Sequence, residues 1–147
     1  MDALELKYIN VESSFYEEAV KLREHLFFKN MKNRRNLIQD DFELNGNHLI
    51  CLSNGEVVGT GRLNIKNTIA IISQMAIKNE YQKRGVGSKI LKALIIKSKE
   101  NEVTKIELGA RKTAIVFYEK FNFVSFGSTY ASKKTGIIHQ QMKLMIK

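Results

Sequence analysis

Met75-Ala76-Ile77-Lys78-Asn79-Glu80-Tyr81-Gln82-Lys83-Arg84-Gly85-Val86-Gly87-Ser88-Lys89 is the stretch from which the rest of the chain can be read. An apolar strand ends, a cationic loop with two glycines follows, and a helix opens at once. That order aims several backbone amides and the positive end of a helix dipole at one spot, which suits a phosphate group. Gly85 and Gly87 keep side chains out of the ligand's way, and Lys83 and Arg84 add charge that need not be buried. Spacing separates the competing phosphate loops. A Walker A loop needs Gly-x-x-x-x-Gly-Lys-Ser/Thr, which is absent. A dinucleotide fingerprint wants a third glycine where Ile90 stands, although Glu107 sits near the place of a ribose-binding acid. A glycine-bearing helix start without a ligand is the plain structural alternative.

Working outward, Val86, Ile90, Leu91, Leu94 and Ile95 mark one face of a helix that ends near Asn101. Lys105 to Ala110 reads as a strand. Ala114, Phe117, Tyr118 and Phe121 form a short amphipathic helix, and Val124 to Tyr130 and Ile137 to Ile146 form two final strands. Upstream, Leu6 to Val11 reads as a strand, followed by a capping box of Ser14 and Glu17. Phe15, Ala19, Leu22 and Leu26 then give one apolar helical stripe, and Asn30 to Gly46 is polar loop with room for a short helix. Leu49 to Leu52 runs into Asn54-Gly55, a strong hairpin dipeptide. Glu56 to Ile65 and Thr68 to Ile77 continue it as an antiparallel meander. The order β-α-β-β-β-α-β-α-β-β is α+β, a mixed sheet with helices packed on it.

Composition bounds the function. At 147 residues the chain has the size of one compact domain, long enough to bury roughly 70% of its unfolded surface. With 44% hydrophobic and 27% charged residues it reads as an ordinary soluble globular protein. The longest apolar run, Ala114 to Tyr118, is far short of a bilayer span, and Met1-Asp2-Ala3-Leu4-Glu5 is acidic where a signal peptide is basic. Neither membrane spanning nor secretion is expected. Cys51 stands alone, which excludes an internal disulfide and fits a reducing cytoplasm. The net charge of +9, from 24 Lys+Arg against 15 Asp+Glu, raises the question of an anionic partner. The cations are spread along the chain, with no zinc-ligand spacing, recognition helix or Arg-rich tail, so nucleic acid is not the expected partner.

Gln82-x-x-Gly85-x-Gly87 at the end of the fourth strand resembles the acyl-coenzyme A pyrophosphate loop of the GNAT superfamily of N-acetyltransferases. Downstream, Ala114-Ile115-Val116-Phe117-Tyr118-Glu119-Lys120-Phe121-Asn122-Phe123 is similar to that family's Ala-x-x-Phe-Tyr-Glu-Lys-x-Gly-Phe segment, and the element order is the family's. Finer features resemble the small bacterial ElaA-like subgroup: Leu22-Arg23-Glu24-His25-Leu26-Phe27, Asn47-His48-Leu49 and Gly136-Ile137-Ile138-His139. The likeness covers nearly the whole chain, as a single N-acetyltransferase domain. Three departures stand out. Asn122 replaces the usual glycine, a change that Asn's tolerance of left-handed turns permits. Arg111 stands where many relatives carry Asn or Gln near the pantetheine arm. Lys29-Asn30 replaces the subgroup's frequent Glu-Gln, which bears on the acceptor.

The resemblance implies the GNAT fold, a mostly antiparallel sheet of about seven strands with helices on both faces. It implies transfer of an acetyl group from acetyl-coenzyme A to a primary amine by direct attack in a ternary complex. The donor would lie along the backbone of Met75, Ala76 and Ile77, on the loop Gln82, Lys83, Arg84, Gly85, Val86, Gly87 and Ser88, and beside Arg111 and Tyr118. Tyr118 is the candidate general acid, although its place on an apolar stripe also suits a core aromatic. Glu107, His139 and a water chain held by Gln74 are alternative bases. His25 and His48 are expected to pack or cap. With Asp40 and Asp41 they lack metal-ligand spacing, so no metal is expected. Cys51 reads as a small core residue. The expected partners are acetyl-coenzyme A and a small-molecule or peptide amine, with no membrane and no nucleic acid, and a homodimer is left open. A catalytically silent acyl-coenzyme A-binding module and a basic nucleic-acid binder are the rival readings.

Overall fold

Asn54 and Gly55 set the first hairpin. In the computed structural model, which describes residues 3–146, both adopt positive φ, 51° and 79°, as a two-residue turn matched to strand twist requires. They join β2 (Asn47–Ser53) to β3 (Glu56–Lys66), and β4 (Ile69–Ile77) follows through a turn at Asn67. β1 (Leu4–Ile9) lies outside β2. Beyond β4 come β5 (Lys105–Arg111) and β8 (Ile138–Met145), and the pieces β6 (Val124–Ser125) and β7 (Tyr130–Ala131) both pair with β8. The sheet order is β1-β2-β3-β4-β5-β8-β6. Only β4 and β5 run parallel.

Helices cover both faces, because neighbouring strand residues join different cores. Leu49 and Cys51 of β2 pack with Ile90, Leu91 and Leu94 of α3 (Val86–Glu100), and Tyr118 of α4 (Ile115–Glu119) joins the same cluster. Ile50 and Leu52 pack instead with Ala19 of α1 (Tyr16–Phe27). α2 (Arg34–Ile38) continues that second layer through Ile38 against Val20 and Phe28. Gly59 and Gly61 let β3 press on α3: an added Cβ at Gly59 would stand 2.8 Å from Val86 and 2.9 Å from Ile90.

The expected mostly antiparallel sheet of about seven strands is present with eight, because the segment read as one strand over Val124 to Tyr130 breaks around Gly127, whose φ is 70°. Two expectations need correction. The first strand lies two residues earlier than expected. Asn10 ends it by accepting the Glu12 amide on its side chain (2.9 Å) and the Ser13 amide on its carbonyl (3.1 Å). The Ser14 and Glu17 capping box does not form. Ser13 Oγ accepts the Phe15 amide at 3.1 Å, and Glu17 pairs with Arg35.

Candidate active site

One extra residue in β4 creates the site. Thr60 lies opposite Ala76 but Arg62 lies opposite Ser73, so two β4 residues oppose one on β3. Gln74, in the bulge, has φ 57°, a left-handed conformation that costs a non-glycine residue on the order of 1 kcal/mol. The bulge also breaks the alternation of faces. Ile72 and Met75 both join the α3 core. Between them, Ser73 Oγ accepts from Arg62 Nε at 3.0 Å and Gln74 Oε1 accepts from Arg23 Nε at 3.2 Å. Pairing with β5 stops at Ile71 opposite Glu107. From there to Ile77, β4 has β3 on one side and no strand on the other.

A cavity of about 460 Å³ occupies this gap. Met75, Ala110, Ala114 and Tyr118 line it from the α3/α4 layer. Phe27, Phe28, Asp40 and Phe42 line it from the α1 side, and Tyr130, Lys134 and His139 from the strands beyond β5. Tyr118 and His139, separate candidates in the sequence, therefore meet in one chamber. Tyr118 is buried, and burial pushes its phenol up to about 12, so it is protonated at neutral pH. Its hydroxyl has no hydrogen-bond partner among the described residues. It is not sealed in the core, since Tyr118 lines the cavity.

His139 Nδ1 lies 2.9 Å from the carbonyl oxygen of Ile137. A carbonyl can only accept, so the neutral ring carries its proton on Nδ1 and its lone pair on Nε2. Tyr130 stacks at 5.8 Å between ring centroids from His139, and its hydroxyl rests over Gly109, where any Cβ would collide with it. Burial raises the Tyr130 phenol as well. Glu107 is elsewhere: outside the cavity walls, it pairs with Lys105 at 3.1 Å.

Beneath the α1 side lies a charged network that the sequence did not reveal. Arg23 donates to both Glu43 oxygens at 2.7 Å, Arg62 Nη1 donates to Glu43 at 2.8 Å and to Asp40 at 2.9 Å, and Tyr16 donates to Glu43 at 2.6 Å. Lys134 reaches across from the β7–β8 hairpin to Asp40 (2.6 Å) and the Leu37 carbonyl (2.7 Å). Burial alone would raise the Glu43 carboxyl, but the bonds and charge of Arg23, with Tyr16 and Arg62, outweigh it and bring the pKa to about 2. Burial would likewise raise the Asp40 carboxyl, but the bonds and charges of Lys134 and Arg62 outweigh it and lower its pKa. Desolvation lowers the His48 imidazole, which packs under this cluster with Nε2 2.8 Å from the Glu43 carbonyl.

The glycine loop takes up position at the end of β4. Gln82 donates to the Ile77 carbonyl (3.0 Å) and to Asn79 Oδ1 (3.1 Å), so its side chain ties the loop to the strand. Lys83 and Gly85 are left-handed, with φ of 62° and 84°. Space lies open where a Cβ on Gly85 would project. No side chain caps α3, so the amides of its first turn, including Gly87 and Ser88, lack intrahelical acceptors. Arg84 stacks on Tyr81 at 4.9 Å. A cradle of free amides under two exposed cations fits a pyrophosphate. Arg111, expected beside the donor arm, lines the same cavity as Met75 and Tyr118 and reaches toward its α1 side. It packs 5.4 Å from the Phe27 ring centroid of α1. Cys51 is buried and free, and burial raises its thiol. No helix of the described residues is long and apolar enough to cross a membrane.

A family model described as an acetyltransferase (GNAT) domain matches residues 11–146. The protein YyaT of Bacillus subtilis (strain 168), itself uncharacterized, is 27% identical over 123 residues, covering 82% of each chain. YjcF of the same organism, an uncharacterized N-acetyltransferase, is 25% identical, covering 86% of this chain and 89% of its own. Among solved structures, Escherichia coli ElaA shares the fold with a TM-score of 0.78 at 18% identity, over 97% of this chain and 99% of its own.

Proposed function

The chain belongs to the GNAT acetyltransferase family, and from that premise we propose that it moves an acetyl group from acetyl-coenzyme A to a primary amine by direct attack in a ternary complex. The observation that carries this reading is a single cavity at the β4–β5 gap that holds an unpartnered phenol and a histidine with a defined tautomer. The glycine loop at the end of the same strand holds the donor's pyrophosphate, and the unpaired edge of β4 at Met75, Ala76 and Ile77 receives its extended arm. In the transfer the amine nitrogen forms a bond to the thioester carbonyl carbon and the carbon–sulfur bond breaks. One proton leaves the nitrogen and one reaches the departing sulfur. His139 Nε2 takes the first, directly or through water, and Tyr118 supplies the second. A free phenol (~10) is a weaker acid than a free thiol (~8.5). Burial, however, disfavours both anions, so a thiolate formed beside Tyr118 is itself more basic than in water.

Tyr118→Phe tests this. It removes one hydroxyl and keeps the ring, so turnover should fall at least ~100-fold with melting temperature and coenzyme A affinity nearly unchanged. The measurement is thiol release, with an acceptor for which chemistry limits the rate. Parental turnover in the Phe variant would remove Tyr118 as the acid. A loss of stability without loss of rate would return it to the core.

A further inference from the structure

A second cavity of about 290 Å³ adjoins the first, and Phe27, Arg111 and Thr135 line both. Its walls include His25, Lys29 and Arg111 but no carboxylate. The Arg111 guanidinium lies 5.4 Å from the Phe27 ring centroid and forms no ion pair or hydrogen bond among the described residues. The contrast with its neighbours is sharp: Arg23, Arg62 and Lys134 all engage Asp40 or Glu43. Two cations facing one chamber without an anion repel each other, and a bound anion relieves that repulsion. A guanidinium resting beside an aromatic ring keeps its five donors for a planar or tetrahedral oxyanion, which it can bind through two parallel bonds.

We propose that this outer chamber binds an anionic group, a carboxylate or a phosphate, carried by the acceptor amine, with Arg111 as its main ligand and Lys29 in support. The inference rests on the acetyl-transfer reading for the identity of the ligand as an acceptor, and on the cavity itself for its charge. Arg111 is the register partner of His139 across β5 and β8. The anion and the proton-accepting imidazole thus belong to neighbouring positions, and the acceptor is a short molecule with an amine at one end and the anion at the other. The Lys29-Asn30 departure from the subgroup's pattern falls in the same wall, where Lys29 supplies a cation.

The test is calorimetric titration of protein saturated with coenzyme A. The probes are ω-amino acids from β-alanine to aminohexanoate against their amides, and aminoethyl phosphate against ethanolamine. At least one anionic probe should bind about tenfold or more tightly than its neutral counterpart. Arg111→Gln should remove most of that preference and Lys29→Gln part of it, and melting curves would verify that both variants fold. The carboxylate and phosphate arms identify which anion the chamber takes. Equal affinity for charged and neutral probes, no binding of any probe, or an Arg111→Gln variant that loses coenzyme A affinity instead would overturn the proposal. Thiol release measured on the same probes keeps the two readings apart. Anion-selective binding without release would sink acetyl transfer and leave the chamber, whereas release without selectivity would do the reverse.

Discussion

The two sides of the β4–β5 gap hold charge in opposite ways. On the α1 side, Arg23, Arg62 and Lys134 share Asp40 and Glu43 in a network in which every cation engages a carboxylate, most of it buried. At the end of β4, Lys83 and Arg84 stand exposed on a loop with no carboxylate paired to either among the described residues, whereas Lys78 beside them pairs with Glu56. A buried charge without a partner costs too much to keep, whereas an exposed one costs little and stays available to a phosphate. Structural charge is consumed within the fold, and binding charge is left free. Arg111 belongs with the second kind although it lies among the first.

The strongest way to break this contrast is to cut the network at its centre. Glu43→Gln leaves Arg23 and Arg62 facing a neutral amide, and breaking a buried pair in this way costs about 3–5 kcal/mol. Unfolding in denaturant should show that loss, while coenzyme A affinity of the folded variant should hold. The same carboxylate gives a pH signature. Its folded pKa, about 2, lies below the ordinary value of 4.5. The stability it contributes is therefore complete above about pH 4.5 and is lost as pH falls through about 2. The parent should lose stability across that window, with Asp40 contributing in the same direction, and Glu43→Gln should lose less. Equal slopes would show that the network is dispensable.

The loop should answer in the opposite way. Coenzyme A at ~100 times its dissociation constant should stabilise the parent by about 2.7 kcal/mol. At Gly87 an added Cβ would lie 3.5 Å from Phe117 and 3.7 Å from Ile77, ordinary contact distances, so the fold tolerates a side chain there. Gly87→Val should consequently keep the apo melting temperature and abolish the shift with coenzyme A. A preserved shift would mean that the pyrophosphate lies elsewhere.

This asymmetry also explains what the sequence could and could not reveal. The loop is contiguous, and its residues act through backbone conformation and local charge, so Gly85, Gly87 and the helix start at Val86 were legible, as was the Asn54-Gly55 hairpin. The acceptor side joins residues far apart in the chain. Lys134 bonds to Asp40 and Arg62 to Glu43 only because the fold brings them together, and no local pattern announces it. Arg23 is an instance. It stands within Leu22-Arg23-Glu24-His25, yet its partners lie on another segment and on the β4 bulge. The bulge was equally hidden, since a left-handed Gln74 carries no glycine to mark it. Arg111 falls just past the strand read over Lys105 to Ala110, although β5 includes it, and what it faces depends on where β4 and β5 part.

The smallest effect sharpens the comparison within the loop itself. Lys83→Gln and Arg84→Gln each remove one charge and preserve the aliphatic stem, and the Lys83 change leaves its left-handed backbone position no more strained than before. An exposed charge beside a phosphate is screened, so each change should weaken coenzyme A by about two- to fivefold at low salt and by almost nothing near ~1 M, where the Debye length is ~3 Å. The two need not be equal. Arg84 is held by the Tyr81 ring and by the Glu80 carbonyl at 3.3 Å, so less freedom is lost when it engages a phosphate. Arg84→Gln should therefore weaken binding more than Lys83→Gln at every ionic strength below the screened limit. Titrations with coenzyme A and with dephospho-coenzyme A at several salt concentrations would measure both slopes. A loss of affinity that ignores salt would mean that these side chains support the loop's shape, and the division between free and consumed charge would then fail at the place where it is most exposed.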